Sequence, residues 1–150
     1  GAYYGELVRA QIGATWIGDG RDPTTARLLL IDQFLHFAPI DQAREVLRGD
    51  AEPDDDDDDA APLDTRFHAR ATPAAATDGG DAPPDDASWL AERLAALPEV
   101  DANEYYTLTC RFETLQLMLE LLAAKHADEG LPPRRLGLTD YVEVLTAQPG

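Results

Sequence analysis

Between Asp50 and Ala87 the chain carries thirteen acids, six of them consecutive from Asp54 to Asp59, against two bases, Arg66 and Arg70. Those 38 residues hold −11 of the formal net charge of −17. Pro53, Pro62, Pro73, Pro83 and Pro84 lie in the same stretch, with an Ala-Ala-Ala run and Gly79-Gly80. Adjacent carboxylates repel, and such a composition offers too little apolar surface to offset its ordering entropy. Residues 50–87 therefore read as a disordered acidic linker, with a root-mean-square span on the order of 35 Å if fully flexible. What folds must come from 1–49 and 88–150. Each is short for a core of its own, so the two are expected to pack on each other or on a partner.

In 1–49, Tyr3, Tyr4, Leu7, Val8 and Ile12 recur at helical spacing, with Gly13 as the stop. Ala14 to Ile17 reads as a short strand, Asp19-Gly20 and Asp22-Pro23 as turns, and Leu28 to Ile31 as a buried strand. A turn at Asp32-Gln33 leads into a third strand, Phe34 to Phe37. Pro39 breaks it, and Asp41 is placed to cap a helix that ends at Gly49. The alternative is a helix capped by Asp22 and running from Pro23 to Ala38, which would make the protein all-α. Strands are the preferred reading. The fold class expected is α+β: a helix, a three-strand meander and a helix, then the linker, then a three-helix unit.

In 88–150, Ser88 is an N-cap candidate for a short helix ending before Pro98. Asp101 with Glu104 is a variant capping box opening the most regular element in the chain. Tyr105, Leu108, Phe112, Leu115, Leu119, Leu122 and His126 follow a three-four alternation there, the seam of a packed helix. Its six apolar positions are worth on the order of 10 kcal/mol before entropy costs. Gly130 and Pro132-Pro133 end it. Thr139 is placed to cap a last helix carrying Tyr141, Val142, Leu145 and Val144.

The segment Gly1-Ala2-Tyr3-Tyr4-Gly5-Glu6-Leu7-Val8, followed by Ile12-Gly13-Ala14-Thr15-Trp16-Ile17, resembles an uncharacterised bacterial domain family. That family's pattern is a Gly-x-x-x-Gly-Glu helix, a Gly-x-x-Trp strand, and a Pro-led helix near a Gly-Asp. Pro39-Ile40-Asp41 and Arg48-Gly49-Asp50 take the last two places here. The resemblance covers the first third of the chain. It implies a small module without established catalysis, of an immunity or accessory kind, and it singles out Glu6, as a contact residue or as a buried polar anchor for the Trp16 strand.

Catalytic and ligand motifs are sparse. His36, His68 and His126 show no paired spacing with each other or with the lone Cys110, so no metal site is expected. His126 reads as a dipole partner at a helix C-terminus. Gly18-Asp19-Gly20 lacks the remainder of a phosphate loop, Glu113 and Glu120 lack the Glu-x-x-His companions of a di-metal bundle, and no Gly-x-Ser-x-Gly occurs. The acidic run lacks the spaced ligands of a calcium loop. Basic residues are scattered without aromatic interleaving, which argues against direct nucleic-acid binding.

One cysteine excludes a disulfide scaffold and favours a cytoplasmic setting. Nothing resembles a signal peptide, and the apolar runs are too short to span a bilayer. Eleven Arg to one Lys, with abundant Asp and Ala, is the usage of a GC-rich prokaryotic genome and also suits a salt-adapted organism, and Gly at position 1 suits a processed chain, a piece of a longer one or a cloning scar. The function expected is a non-enzymatic interaction module without cofactor. It would dock another protein or a second copy through Glu6, Trp16, Tyr105, Leu108, Phe112, Leu115, Leu119 and Leu122. The alternative is an acidic antagonist occupying a basic site on a partner.

Overall fold

Helix α1 (Ala2–Gln11) turns only one side inward, burying Tyr4, Gly5 and Val8, and it ends where Gly13 takes φ +97°. The computed structural model describes residues 1–49, 63–70, 86–105 and 107–147. After α1 come β1 (Ala14–Ile17), a 3-10 turn (Pro23–Thr25), β2 (Arg27–Leu30), β3 (Leu35–Phe37), α2 (Pro39–Arg48) and β4 (His68–Ala69). Helices α3 (Asp86–Ala95), α4 (Ala102–Tyr105), α5 (Leu108–Asp128) and α6 (Leu138–Ala147) complete the order. The fold is α+β, built on a four-stranded antiparallel sheet in the order β1-β2-β3-β4.

The strand reading of residues 24–38 is the one adopted. What survives of the helical alternative is the 3-10 turn, where the Asp22 side chain accepts from the Thr24 N–H at 2.8 Å. Pro39 begins α2 rather than preceding its cap. Asp41 lies in the first turn, inside the helix, and spends its carboxylate on the Asp64 N–H at 3.0 Å.

Registers Ala14↔Leu30, Trp16↔Leu28, Leu28↔Phe37 and Leu35↔Ala69 place these residues on one face of the sheet. Period-two alternation puts Thr15, Ile17, Arg27, Leu29, His36 and His68 on the other. The first face carries the main core: Leu28, Leu30, Leu35 and Phe37 meet Tyr4 and Val8 of α1, Leu90 of α3, and Leu115, Met118 and Leu122 of α5. The second face is covered by α6, whose Tyr141 closes over Leu29 and Phe34 with Val144, Leu136 and Ile17 around it. The pieces 1–49 and 88–150 thus share one core, and the sheet lies between α5 and α6.

Four further expectations about the fold need correction. The expected three-helix unit does not exist as a bundle, because the sheet separates its last helix from the long one. The expected long helix opening at Asp101 is interrupted: Asp101 heads only α4, accepting from the Asn103 N–H at 2.8 Å, and α5 starts afresh with Thr107 accepting from Cys110 N–H at 3.1 Å. Ser88 and Thr139 lie inside α3 and α6 rather than ahead of them. The start of α6 is instead tied by Asp140, which accepts from the Gly137 N–H at 2.7 Å and pairs with Arg134.

The fourth correction concerns the linker. Residues 63–70 run along the sheet edge, and His68 and Ala69 pair with His36 and Leu35. Phe67 and Ala69 are packed against the main core, with the Phe67 and Phe37 rings 5.0 Å apart. The meander therefore has a fourth strand drawn from the acidic stretch. Asp86 and Ala87 belong to α3, and the Ala87 N–H donates to the Arg70 carbonyl at 3.1 Å. The rest of the expected linker, 50–62 and 71–85, lies outside the described residues.

Candidate functional site

Register carries polar chemistry into the second face of the sheet, because Leu29, His36 and His68 stand in one row across β2, β3 and β4. The imidazoles of His36 and His68 stack with centroids 4.9 Å apart and planes 14° from parallel. Both oxygens of Asp64 lie at 2.9 and 3.0 Å from His68 Nε2. The Arg27 guanidinium stands 3.7 Å from the same carboxylate and donates to the Thr24 and Ala26 carbonyls. The rings of Phe34 and Tyr141 meet His36 edge-on at 6.1 and 6.3 Å.

Burial, then the neighbouring charges of His68 and Arg27, push His36 down to about 4, with Asp64 opposing them. His36 is therefore neutral at pH 7. Burial alone would raise the Asp64 carboxyl. The hydrogen bond and charge of His68, the Arg66 N–H and Arg27 outweigh it, and the group stays below its ordinary value. An Asp–His pair is half of a base-and-orienter arrangement, but catalysis needs a group for the base to act on. The Tyr141 hydroxyl, pushed up to about 12 by burial, is 2.6 Å from the Leu30 carbonyl and accepts from the Leu35 N–H at 3.1 Å. It is an anchor for α6. The geometry of the cluster fastens residues 63–70 to the sheet.

No three of the described His, Cys, Asp or Glu residues are arranged to hold a metal ion. His126 faces Asp86 at 3.1 Å, and Lys125 bridges Asp86 at 2.8 Å and Glu129 at 2.9 Å, so these groups tie α5 to the start of α3. His126 has a specific carboxylate partner besides its place at a helix end. Cys110 is a free thiol, partly buried.

Glu6, the residue singled out by the resemblance, meets Trp16. Trp16 Nε1 donates to Glu6 Oε1 at 2.6 Å, and Arg9 grips the same carboxylate at 2.9 Å. The Arg9 hydrogen bond, then that of Trp16, holds the Glu6 carboxyl below its ordinary range. Gly5 explains the geometry: a Cβ there would lie 2.2 Å from Trp16 Cζ2, so only glycine lets the indole lie against α1. A Cβ on Gly1 would likewise come within 2.8 Å of the Ile40 Cα. Beyond Trp16, an open depression of about 420 Å³ reaches past Ile17 and Arg21 to Pro23. Its rim is fixed by Asp19, which accepts from the Arg21 and Asp22 N–H groups at 2.8 Å.

The expected docking seam on α5 is turned inward. The fully buried row is Arg111, Leu115, Met118 and Leu122, about 50° around the helix from the predicted stripe. Leu115 and Leu122 are 0% and 1% exposed, so neither touches a partner without the fold opening. Leu108, Phe112 and Leu119 are partly buried against the same core, and Tyr105 belongs to α4. Arg111 is the residue periodicity could not place. It pairs with Glu45 of α2 and lies 4.5 Å above the Tyr105 ring.

An exposed apolar row lies instead on α6. Leu138, Val142 and Leu145 are 52%, 49% and 41% exposed and follow i, i+4, i+7 spacing. Sequence reasoning placed Val142 and Leu145 on this helix with Tyr141 and Val144 without dividing its faces. The available signal was that Tyr141 and Val144 form a second, separate face about a quarter-turn away. No protein-family model, curated protein or solved structure matches this chain.

Proposed function

We propose that this protein is a non-enzymatic interaction module that docks a basic protein through the outer face of α6. The observation that carries this reading is the row Leu138, Val142 and Leu145, aliphatic and half exposed on a helix whose other face is already fixed on the sheet. An apolar row is a more economical docking element than scattered exposed residues, because its members desolvate together. Charge selects the class of partner. A net charge of −17 opposes close approach of a second copy and favours a positively charged protein. The acids of the helix itself, Asp140 and Glu143, lie around the helix away from this row, and Asp140 pairs with Arg134.

Among the described residues no helix is long and apolar enough to cross a membrane. A cytoplasmic immunity, adaptor or accessory role, as the resemblance of the first third implies, fits a module of this kind. The test replaces Leu138, Val142 and Leu145 together by Gln, which removes the apolar row without adding charge. Chemical cross-linking and affinity capture from cells of the source would be compared with the wild-type chain and with Tyr3→Gln/Leu7→Gln on α1. The basic partner should be lost, by at least tenfold in recovery, from the α6 variant alone. Equal recovery by the α6 variant would refute the assignment. Loss on deletion of 51–62 with the α6 variant unaffected would favour the acidic-antagonist reading instead.

A further inference from the structure

We propose that residues 63–70 form an acid-released strap, fastened to the edge of β3 where His68 stacks on His36. Several ties hold the strap. Asp41 of α2 accepts from the Asp64 N–H at 3.0 Å, and Gln42 Nε2 donates to the Thr65 carbonyl at 3.3 Å. Register pairs His68 with His36 and Ala69 with Leu35. Phe67 leans on Phe37. The two imidazoles then stack at 4.9 Å on the opposite side from Phe37.

Every charged or titratable group around His36 bears on its protonation. From β2 comes the Arg27 cation, from the strap His68 and the Asp64 carboxylate, and from α6 the Tyr141 ring. The one anion within this set, Asp64, is taken up by His68 Nε2 with both oxygens. A proton on His36 therefore has no carboxylate of its own and faces the Arg27 guanidinium and the His68 ring.

The direction follows from linkage. His36 sits at about 4 in the docked state against an ordinary 6.5. When the strap leaves, the ring regains water and loses His68, so its affinity for a proton rises. Release thus takes up a proton between those values, and falling pH drives it. From His36 alone, the docking equilibrium weakens by up to about 20-fold between pH 7 and pH 5. Asp64, held low, stays ionised across that window and adds no opposing slope. Detachment bares the β3 edge, whose N–H and C=O groups become open to pairing with another strand.

Hydrogen exchange of the full chain, followed by mass spectrometry at pH 7 and pH 5 and corrected for intrinsic exchange rates, tests this. The peptide covering 63–70 should lose protection by about tenfold or more at pH 5, while the α5 peptide around Leu115–Leu122 stays protected. In the same protein, NMR titration should place the His36 imidazole well below 6. The variant His36→Phe keeps a ring against His68 without a proton site, and its strap should hold protection at pH 5. Unchanged strap protection in the wild type, an ordinary titration for His36, or equal acid loss in His36→Phe would each overturn the proposal.

Discussion

Gly5→Ala is the substitution whose sign discriminates most sharply. In the middle of an ordinary exposed helix, Ala for Gly stabilises by roughly 0.5–1 kcal/mol through backbone entropy. Here the new Cβ would stand 2.2 Å from Trp16 Cζ2 and 2.4 Å from Cη2, with Pro39 Cβ at 3.3 Å on its other side. The indole cannot yield freely, because its Nε1 is bonded to Glu6 and its ring borders the main core. Overpacking of this kind costs about 1–3 kcal/mol, so the net expectation is a loss of roughly 1–2 kcal/mol. Thermal unfolding would register it as a fall of several degrees. The partner experiment is Trp16→Ala. With the ring gone, Gly5→Ala should recover its helix-propensity gain and become stabilising, a coupling of about 2 kcal/mol in a double-mutant cycle. A stabilising Gly5→Ala in the wild-type background would refute the contact and, with it, the physical account of the Gly-Glu…Trp pattern.

Leu115→Ala should lower stability by about 2–5 kcal/mol in chemical denaturation, since the side chain is fully buried between α5 and the sheet. Tyr141→Phe should cost about 1–3 kcal/mol, because it strands the buried Leu35 N–H and removes the hydroxyl's bond to Leu30; hydrogen exchange of α6 should rise more than that of α5. Asp41→Ala removes the acceptor of the Asp64 N–H, and should raise exchange of 63–70 at pH 7 while leaving α5 protection unchanged.

Local punctuation made the first third of the fold legible. Gly13, Asp32-Gln33 and Gly49 delimit elements that the chain forms within a residue or two of where those signals stand. Leu28–Leu30 are all buried because one face meets α1 and α5 and the other meets α6. That two-sided burial is what gave the run no periodicity to read. The inner face of α5 was misjudged by half a residue step, because Arg111 looks like a surface residue until Glu45 and Tyr105 supply its partners. The site residues divide the same way. The Glu6–Trp16 bond joins residues ten apart and was reachable from the pattern, while His36 and His68 are joined only through strand register.

That register also explains why the acidic stretch misled. Composition averages over a window, and the eight residues Leu63–Arg70 are the one part of it with an aromatic, two aliphatic positions and few acids. Docking them divides one long connection into spans of thirteen and fifteen residues, 50–62 and 71–85. By the logarithmic dependence of closure entropy, that division adds only a few kcal/mol. Fixing the eight backbones costs more, roughly 1–2 kcal/mol each. Against this stand the half-buried Phe67, one short ladder, the Asp41 and Gln42 bonds and the Asp64–His68 pair. With so few buried apolar contacts and a two-residue ladder, the strap sits at the low end of the molecule's local stabilities. A change of one charge at His36 is then enough to matter there, whereas the same change would be lost against the core beneath α5.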